Sequence, residues 1–270
     1  MRLVTTKTEN KITTITLNRE QKANAINEQM WTELSEAIRF CDESLDTRVV
    51  ILNANGRFFS SGMDLSLLES IQNELENNCH GRKRENLFRA IQKYQSVVNL
   101  VDNSRKPIIA AVQGGCLGAG LELIAACDFR YCTQDAFFSI KEIDIAMVAD
   151  LGALQRLPKI MHEGIVREMA YTGRNLSANE AFNSGLVNRV FENCEALNAG
   201  VVAVAEDIAK KSPLSVRGTK EILNFSRRHN VEDGLRYVSA WNAAMFFSED
   251  LIEAKRSLQD KTEKSEAKRS

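Results

Sequence analysis

"PIIAAVQGGCLGAGLELIAAC", residues 107–127, holds a strand, a turn and a helix in one short run. Pro107 lacks an N–H for the ladder, so it fits only where a strand begins. The uninterrupted apolar residues 108–112 read as a strand buried on both faces rather than one with a wet side. Glycines at 114, 115, 118 and 120 end that strand, and "LELIAACD" reads as the helix after the turn. A strand that stops at a helix N-terminus leaves backbone N–H groups free, and the helix dipole there favours a negative oxygen.

Working outward, the same alternation of elements recurs. "KITTITLNR" (11–19) and "RVVILNANG" (48–56) read as strands, and "NAINEQMWTELSEAIRFCDES" (24–44) has helical spacing through Ile26, Met30, Leu34 and Ile38. After "RFFSSGMDLSLLESI", the polar run "QNELENNCHGRKREN" (72–86) reads as a surface excursion before the helix "LFRAIQKYQSVVNLVDN" (87–103). "FRYCTQ" and "AFFSIKEIDI" are expected to form a strand pair, followed by helices through "QRLPKIM", "HEGIVREMAYTG" and "SANEAFNSG". The repeated strand, strand, helix order predicts a mixed α/β fold with a twisted sheet covered by helices. From about Gly200 the pattern is helical throughout, which predicts a core over 1–199 and a helical C-terminal oligomerisation subdomain over 200–270. Its aromatic residues Tyr237, Trp241, Phe246 and Phe247 exceed what one exposed helix face should carry, so they are expected to pack on the core or on another subunit. The last ten residues, rich in Lys and Glu, are expected to fray.

Composition excludes several function classes. A formal net charge of -1 over 270 residues leaves no basic surplus for nucleic acid. The longest apolar runs fall far short of the roughly 20 residues needed to span a bilayer. Six scattered cysteines (Cys41, Cys79, Cys116, Cys127, Cys132, Cys194) without a CxxC pair point to reduced thiols in the cytoplasm or another reducing compartment, with no clear targeting signal. His80, His162 and His229 stand apart from each other and from any cysteine cluster, so a metal site is not expected.

Chemistry concentrates in two glycine-bearing loops and three acids. "FFSSGMD" and "GCLGAGLEL" each free N–H groups where a strand stops, and two such donors aimed at one point make an oxyanion hole. Either loop alone is more often just a tight turn. Glu122 falls in the first turn of the helix after "GCLGAG", Glu142 is expected to end the strand "AFFSIKE", and Asp150 lies among Val148, Ala149 and Leu151. The plain structural roles are a helix-dipole partner, an exposed strand-end charge and an N-cap for "LGALQRL". Against the last, an apolar setting raises the pKa of Asp150, as a proton-transferring acid at neutral pH requires.

"RFFSSGMDL", "AVQGGCLGAGLELIAACDFRYCTQDAFFSIKEIDI" and "ADLGALQRLPK" resemble the signature segments of the enoyl-CoA hydratase/isomerase (crotonase) superfamily. Within it the chain is most similar to the Δ3,5-Δ2,4-dienoyl-CoA isomerases. The resemblance implies a crotonase-like spiral of strand-strand-helix units, an acyl-CoA thioester as substrate with no other cofactor, and a homotrimer or homohexamer. It places the oxyanion donors on the N–H groups of Met63 and Ala119, the C2 proton on Glu142 and the C6 proton on Asp150. Substrate contacts are implied at Ser61, Gly62, Met63, Asp64, Leu65 and Gly120, with Arg57 near the CoA phosphates. Hydratases usually have glycine where Asp150 stands, whereas the isomerases usually have Asp where this chain has Glu122. An enoyl-CoA hydratase using Glu122 and Glu142 is therefore the alternative enzyme, and a crotonase-fold binding or scaffold protein the alternative without catalysis.

Overall fold

The computed structural model describes residues 2–67, 69–70 and 79–266. β1 (Val4–Glu9) and β2 (Ile12–Leu17) form an antiparallel hairpin whose two-residue turn, Asn10 and Lys11, takes positive φ angles of 50° and 67°. β2 then pairs in parallel with β3 (Val49–Ala54), β3 with β4 (Ile108–Val112), β4 with β6 (Phe129–Thr133) and β6 with β9 (Arg189–Phe191). These strands form a six-stranded sheet in the order β1-β2-β3-β4-β6-β9. β5 (Gly115–Leu117), β7 (Phe137–Ser139) and β8 (Leu176–Ser177) form a second, three-stranded sheet. The expected pairing of "FRYCTQ" with "AFFSIKEIDI" does not occur, because β6 and β7 belong to different sheets. The turn "GCLGAG" itself supplies β5.

Side-chain alternation explains why the central strands read as continuous apolar runs. Val50, Leu52, Ile108, Ala110 and Val112 face the main core with α1 (Glu28–Glu43), α2 (His80–Asn103) and α3 (Ala119–Ala125). Val49, Ile51, Ile109 and Ala111 face the opposite side, under Leu197, Val201, Ala205 and Ala209 of α7 (Cys194–Ala209). Both faces are dry, so period-two polarity is absent. α1 opens on Asn27, whose side chain accepts from the Met30 N–H.

α4 (Ala153–Arg156), α5 (Glu163–Thr172) and α6 (Ala178–Ser184) precede β9, and α8 (Pro213–Ser226), α9 (Val231–Met245) and α10 (Glu249–Glu266) end the chain. The expected division at 199 and 200 cuts through α7, whose apolar face completes the core; the helices that leave it begin at Pro213. α8 is pinned by a partly buried ion pair, Lys220 Nζ to Asp128 Oδ2 at 2.8 Å. Tyr237 and Trp241 pack on α8, the first against Phe225 and the second over Gly218, rather than on the main core. Phe246 and Phe247 remain exposed. The polar run at 72–86 turns helical at His80, where α2 begins, and its residues 72–78 lie outside the described ones. Instead of a frayed tail of ten residues, α10 runs to Glu266, with 267–270 outside the described residues.

Candidate active site

The first glycine loop is laced in place amide by amide. Phe59 N donates to Gln113 O, Ser60 N to Gly115 O, Ser61 N to Ala23 O, Gly62 N to Ser60 Oγ and Asp64 N to Ile26 O, at 2.9 to 3.1 Å. Met63 N–H is left over, without an acceptor among the described residues. The second loop leaves a matching donor. Leu117 N donates to Ser60 O and Gly118 N to Ser139 O. Ala119, first residue of α3, has no carbonyl one turn before it to bond, as at any helix start. The two loops are joined by a bridge between Ser60 and Cys116, and Met63 and Ala119 line one cavity of about 130 Å³.

That cavity gathers the predicted acids. Ser61, Gly62, Met63, Leu65, Gly118, Ala119, Glu122, Lys141, Glu142, Ile145, Met147, Asp150 and Leu151 line it. Two expected substrate contacts do not reach it. The Asp64 carboxylate turns away to Arg19 Nη1 at 2.5 Å and to Ser66. Gly120 packs on Ser60, where a Cβ would come within 2.7 Å of the serine Cβ. Arg57 is exposed, its guanidinium 5.5 Å from the Phe58 ring centre.

Glu122 falls in the first turn of α3 as expected and has a second duty besides, while Glu142 and Asp150 sit differently from their plain structural expectations. β7 stops at Ser139, so Glu142 does not end a strand but opens the 3-10 turn Glu142–Ile145. Its Oε2 is buried without a hydrogen-bond partner among the described residues. Its Oε1 would lie only 2.7 Å from a Cβ at residue 118, where φ is +46°; glycine at 118 is what lets this carboxylate stand beside the second loop. Asp150 does not cap α4, whose N-cap is Gly152 without any side-chain cap. Instead Glu122 serves that helix end: its Oε1 accepts from Leu151 N at 2.9 Å and Ala153 N at 3.1 Å, and the residue is 1% exposed. Asp150 is left half-buried with no bond from its carboxyl to another described residue.

The electrostatics follow from this crowding. Burial, opposed in part by its own amide, raises the Asp150 carboxyl above the ordinary range. Burial and then the neighbouring Asp150 charge raise Glu142. Burial, then the Glu142 charge, push Glu122 up to about 8 despite the amides of Ala153 and Leu151. Three carboxyls crowded into one small cavity oppose one another's ionisation, and all three are raised. Beside them are two unpaired amides suited to a developing oxyanion. Among residues not anticipated from sequence, Lys141 is fixed at the rim by Gly173 O (2.7 Å) and Asp144 (3.0 Å), while Ile145 and Met147 supply apolar wall.

Residues 7–268 match the family model described as enoyl-CoA hydratase/isomerase. The chain is 44% identical to the peroxisomal Δ(3,5)-Δ(2,4)-dienoyl-CoA isomerase of Arabidopsis thaliana over 94% of this chain and 92% of that one. It is 41% identical to the mitochondrial enzyme of that name from Homo sapiens, over 94% and 77%. Among solved structures, enoyl-CoA hydratase from Bacillus anthracis superposes with a TM-score of 0.86 at 29% identity, covering 96% of both chains.

Proposed function

The chain belongs to the enoyl-CoA hydratase/isomerase family, and we propose that its cavity converts a 3,5-dienoyl-CoA to the 2,4-dienoyl-CoA in fatty-acid β-oxidation. The Glu142 carboxylate takes a C2 proton. The electron pair passes into the thioester, whose oxygen is held as a dienolate oxyanion by the Met63 and Ala119 amides. The pair then returns along the chain, forming the C2=C3 and C4=C5 bonds as C6 takes the proton of Asp150. Glu142 ends protonated and Asp150 ionised, and proton exchange resets them. Protons alone move, so the reaction as written calls for the acyl-CoA and no further cofactor.

One observation carries this choice over hydration: Asp150 enters the cavity beside Glu142 with its carboxyl unclaimed, while Glu122 has one oxygen committed to two amides. A proton carrier needs a free carboxyl, and Asp150 has one. Supplying the protein with a 3,5-dienoyl-CoA should raise ultraviolet absorbance as the diene becomes conjugated with the thioester. Rapid hydration of a 2-enoyl-CoA with no change in the dienoyl-CoA would reject isomerisation and favour the hydratase.

The exposed Val231, Leu235, Phe246, Phe247 and Ile252 on and after α9 support assembly as a homotrimer or homohexamer. A monomer in sedimentation at micromolar concentration would exclude it. Four buried and two exposed cysteines, all unpaired, favour work in a reducing compartment. No helix among the described residues is long and apolar enough to cross a membrane.

A further inference from the structure

The Asp150 loop has a rear side as well as a face toward the substrate. Ala149 and Leu151 anchor the loop in the main core, while Asp150, Leu151 and Gly152 also border a second cavity of about 390 Å³. Polar contacts add to that packing. Gln95 Nε2 on α2 donates to Asp150 O at 2.6 Å. Arg156 Nη1 lies over the loop, 3.4 Å from Leu151 O. A Cβ at residue 152 would come within 1.9 Å of that nitrogen, so glycine there, at φ +121°, is what admits the guanidinium. The other end of the fork is anchored on α2, with Arg156 Nη2 2.6 Å from Asn99 Oδ1 and 3.4 Å from Asp102 Oδ2.

We propose that Arg156, anchored by Asn99 and Asp102 and assisted by Gln95, is a positioning residue that clasps the Asp150 loop from the side opposite the substrate. Glu122 holds the same loop from the cavity side through the Leu151 and Ala153 amides. Two clasps on opposite faces fix how far the Asp150 carboxyl projects toward the distal carbon. The anchor also reaches the C-terminal helices: Asn224 Nδ2 donates to Asp102 O at 2.9 Å, and Arg227 and Arg228 approach the Asp102 carboxylate at 3.7 and 3.9 Å. Docking of α8 is thereby coupled to the placement of a group that Arg156 itself never touches through its side chain. This inference rests on the isomerase assignment above, with Asp150 serving C6 and Glu142 serving C2.

The coupling predicts a split between the two proton transfers. Arg156→Lys keeps a cation for Asp102, and so the fold, but a point charge cannot also span Asn99 and Leu151. A misplacement of about 1 Å costs on the order of 10²-fold, so isomerisation should fall by about that factor in kcat with KM unchanged. Solvent exchange of the C2 proton, which needs only Glu142 and the oxyanion amides, should stay at the parental rate. Gln95→Ala, which removes one bond to the loop and leaves the ion pair, should show the same split more weakly. A merely structural role would depress exchange and isomerisation together. If both variants keep the parental ratio of the two rates, the clasp is refuted. If the parental protein exchanges C2 but isomerises nothing, the isomerase assignment falls and the clasp with it.

Discussion

Replacing Glu122 by glutamine removes a titrating group but leaves an oxygen where Leu151 N and Ala153 N now donate. In the folded chain this carboxyl keeps its proton up to about pH 8, against an ordinary value of 4.5. Between those values the folded state binds a proton that the unfolded chain has released. Stability from this group is therefore complete below about pH 4.5 and is lost as pH rises through about 8. At about 1.36 kcal/mol per pH unit, the window amounts to something on the order of 5 kcal/mol. Urea unfolding midpoints, taken at fixed protein concentration from pH 5 to 9, should fall with pH in the parental protein. The Glu122→Gln curve should be flatter, its gap above the parental one opening between about pH 5 and 8 and levelling off beyond. Its isomerisation rate should stay close to parental, because the loop is still held. Parallel unfolding curves would show that Glu122 does not titrate in this window. A loss of about 10² to 10⁴-fold in isomerisation would make it a proton carrier after all.

Three further outcomes follow from the same geometry. Asp150→Asn should lower isomerisation by about 10² to 10⁴-fold, as loss of a general acid does, while C2 exchange survives; an unchanged isomerisation rate would remove Asp150 from the mechanism. Gly118→Ala places a Cβ within 2.7 Å of Glu142 Oε1, so exchange and isomerisation should fall together; parental exchange would show that Glu142 is not the base. The kcat/KM profile should rise with pH as Glu142 ionises and fall again as Asp150 loses its proton, both limbs lying above the ordinary carboxylate range because both groups are raised. C2 exchange, which does not use Asp150, should show the acid limb and no alkaline one, in the parental protein and in Asp150→Asn alike.

The parts of this fold legible in sequence are those where burial writes a pattern. β3 and β4 are dry on both faces, and their apolar runs show it. β1 buries only Val4, so no alternation marks it, and it forms because Asn10 and Lys11 turn the chain back along β2. β5 is three residues inside a glycine turn; only its partner β7, distant in sequence, distinguishes it from a loop. The helical pattern gave no sign that α7 belongs to the core, because the residues it covers come from β2, β3 and β4. The site divides the same way: the glycine loops and the acids stand out as residue types, but which carboxyl is free depends on contacts between distant segments. Sequence offered Asp150 as the cap of α4 and Glu122 as a dipole partner of α3. The folded chain hands the α4 amides to Glu122.

That exchange of duties explains how one cavity holds both glutamates of a hydratase pattern and the aspartate of an isomerase. Hydration needs two carboxyls flanking one water, each free to give or take a proton. Burial to 1% exposure favours the neutral form of Glu122 despite the two amides that donate to its Oε1, and those two bonds leave it little freedom to turn toward a water. In the reaction proposed here the working pair is Glu142 and Asp150, and the Asp150 charge raises Glu142, so that two charged carboxyls are disfavoured together. A pair that holds one proton is already in the state a proton shift requires, since one member accepts at C2 while the other donates at C6, and each turnover leaves the same total. The catalytic division therefore depends on the backbone amides of Leu151 and Ala153 as much as on the acids. Glu122→Ala, which frees those amides, should unseat Asp150 where Glu122→Gln does not, with isomerisation falling well below C2 exchange in the first variant alone. Equal behaviour of the two variants would show that the amide bonds do not set the position of Asp150.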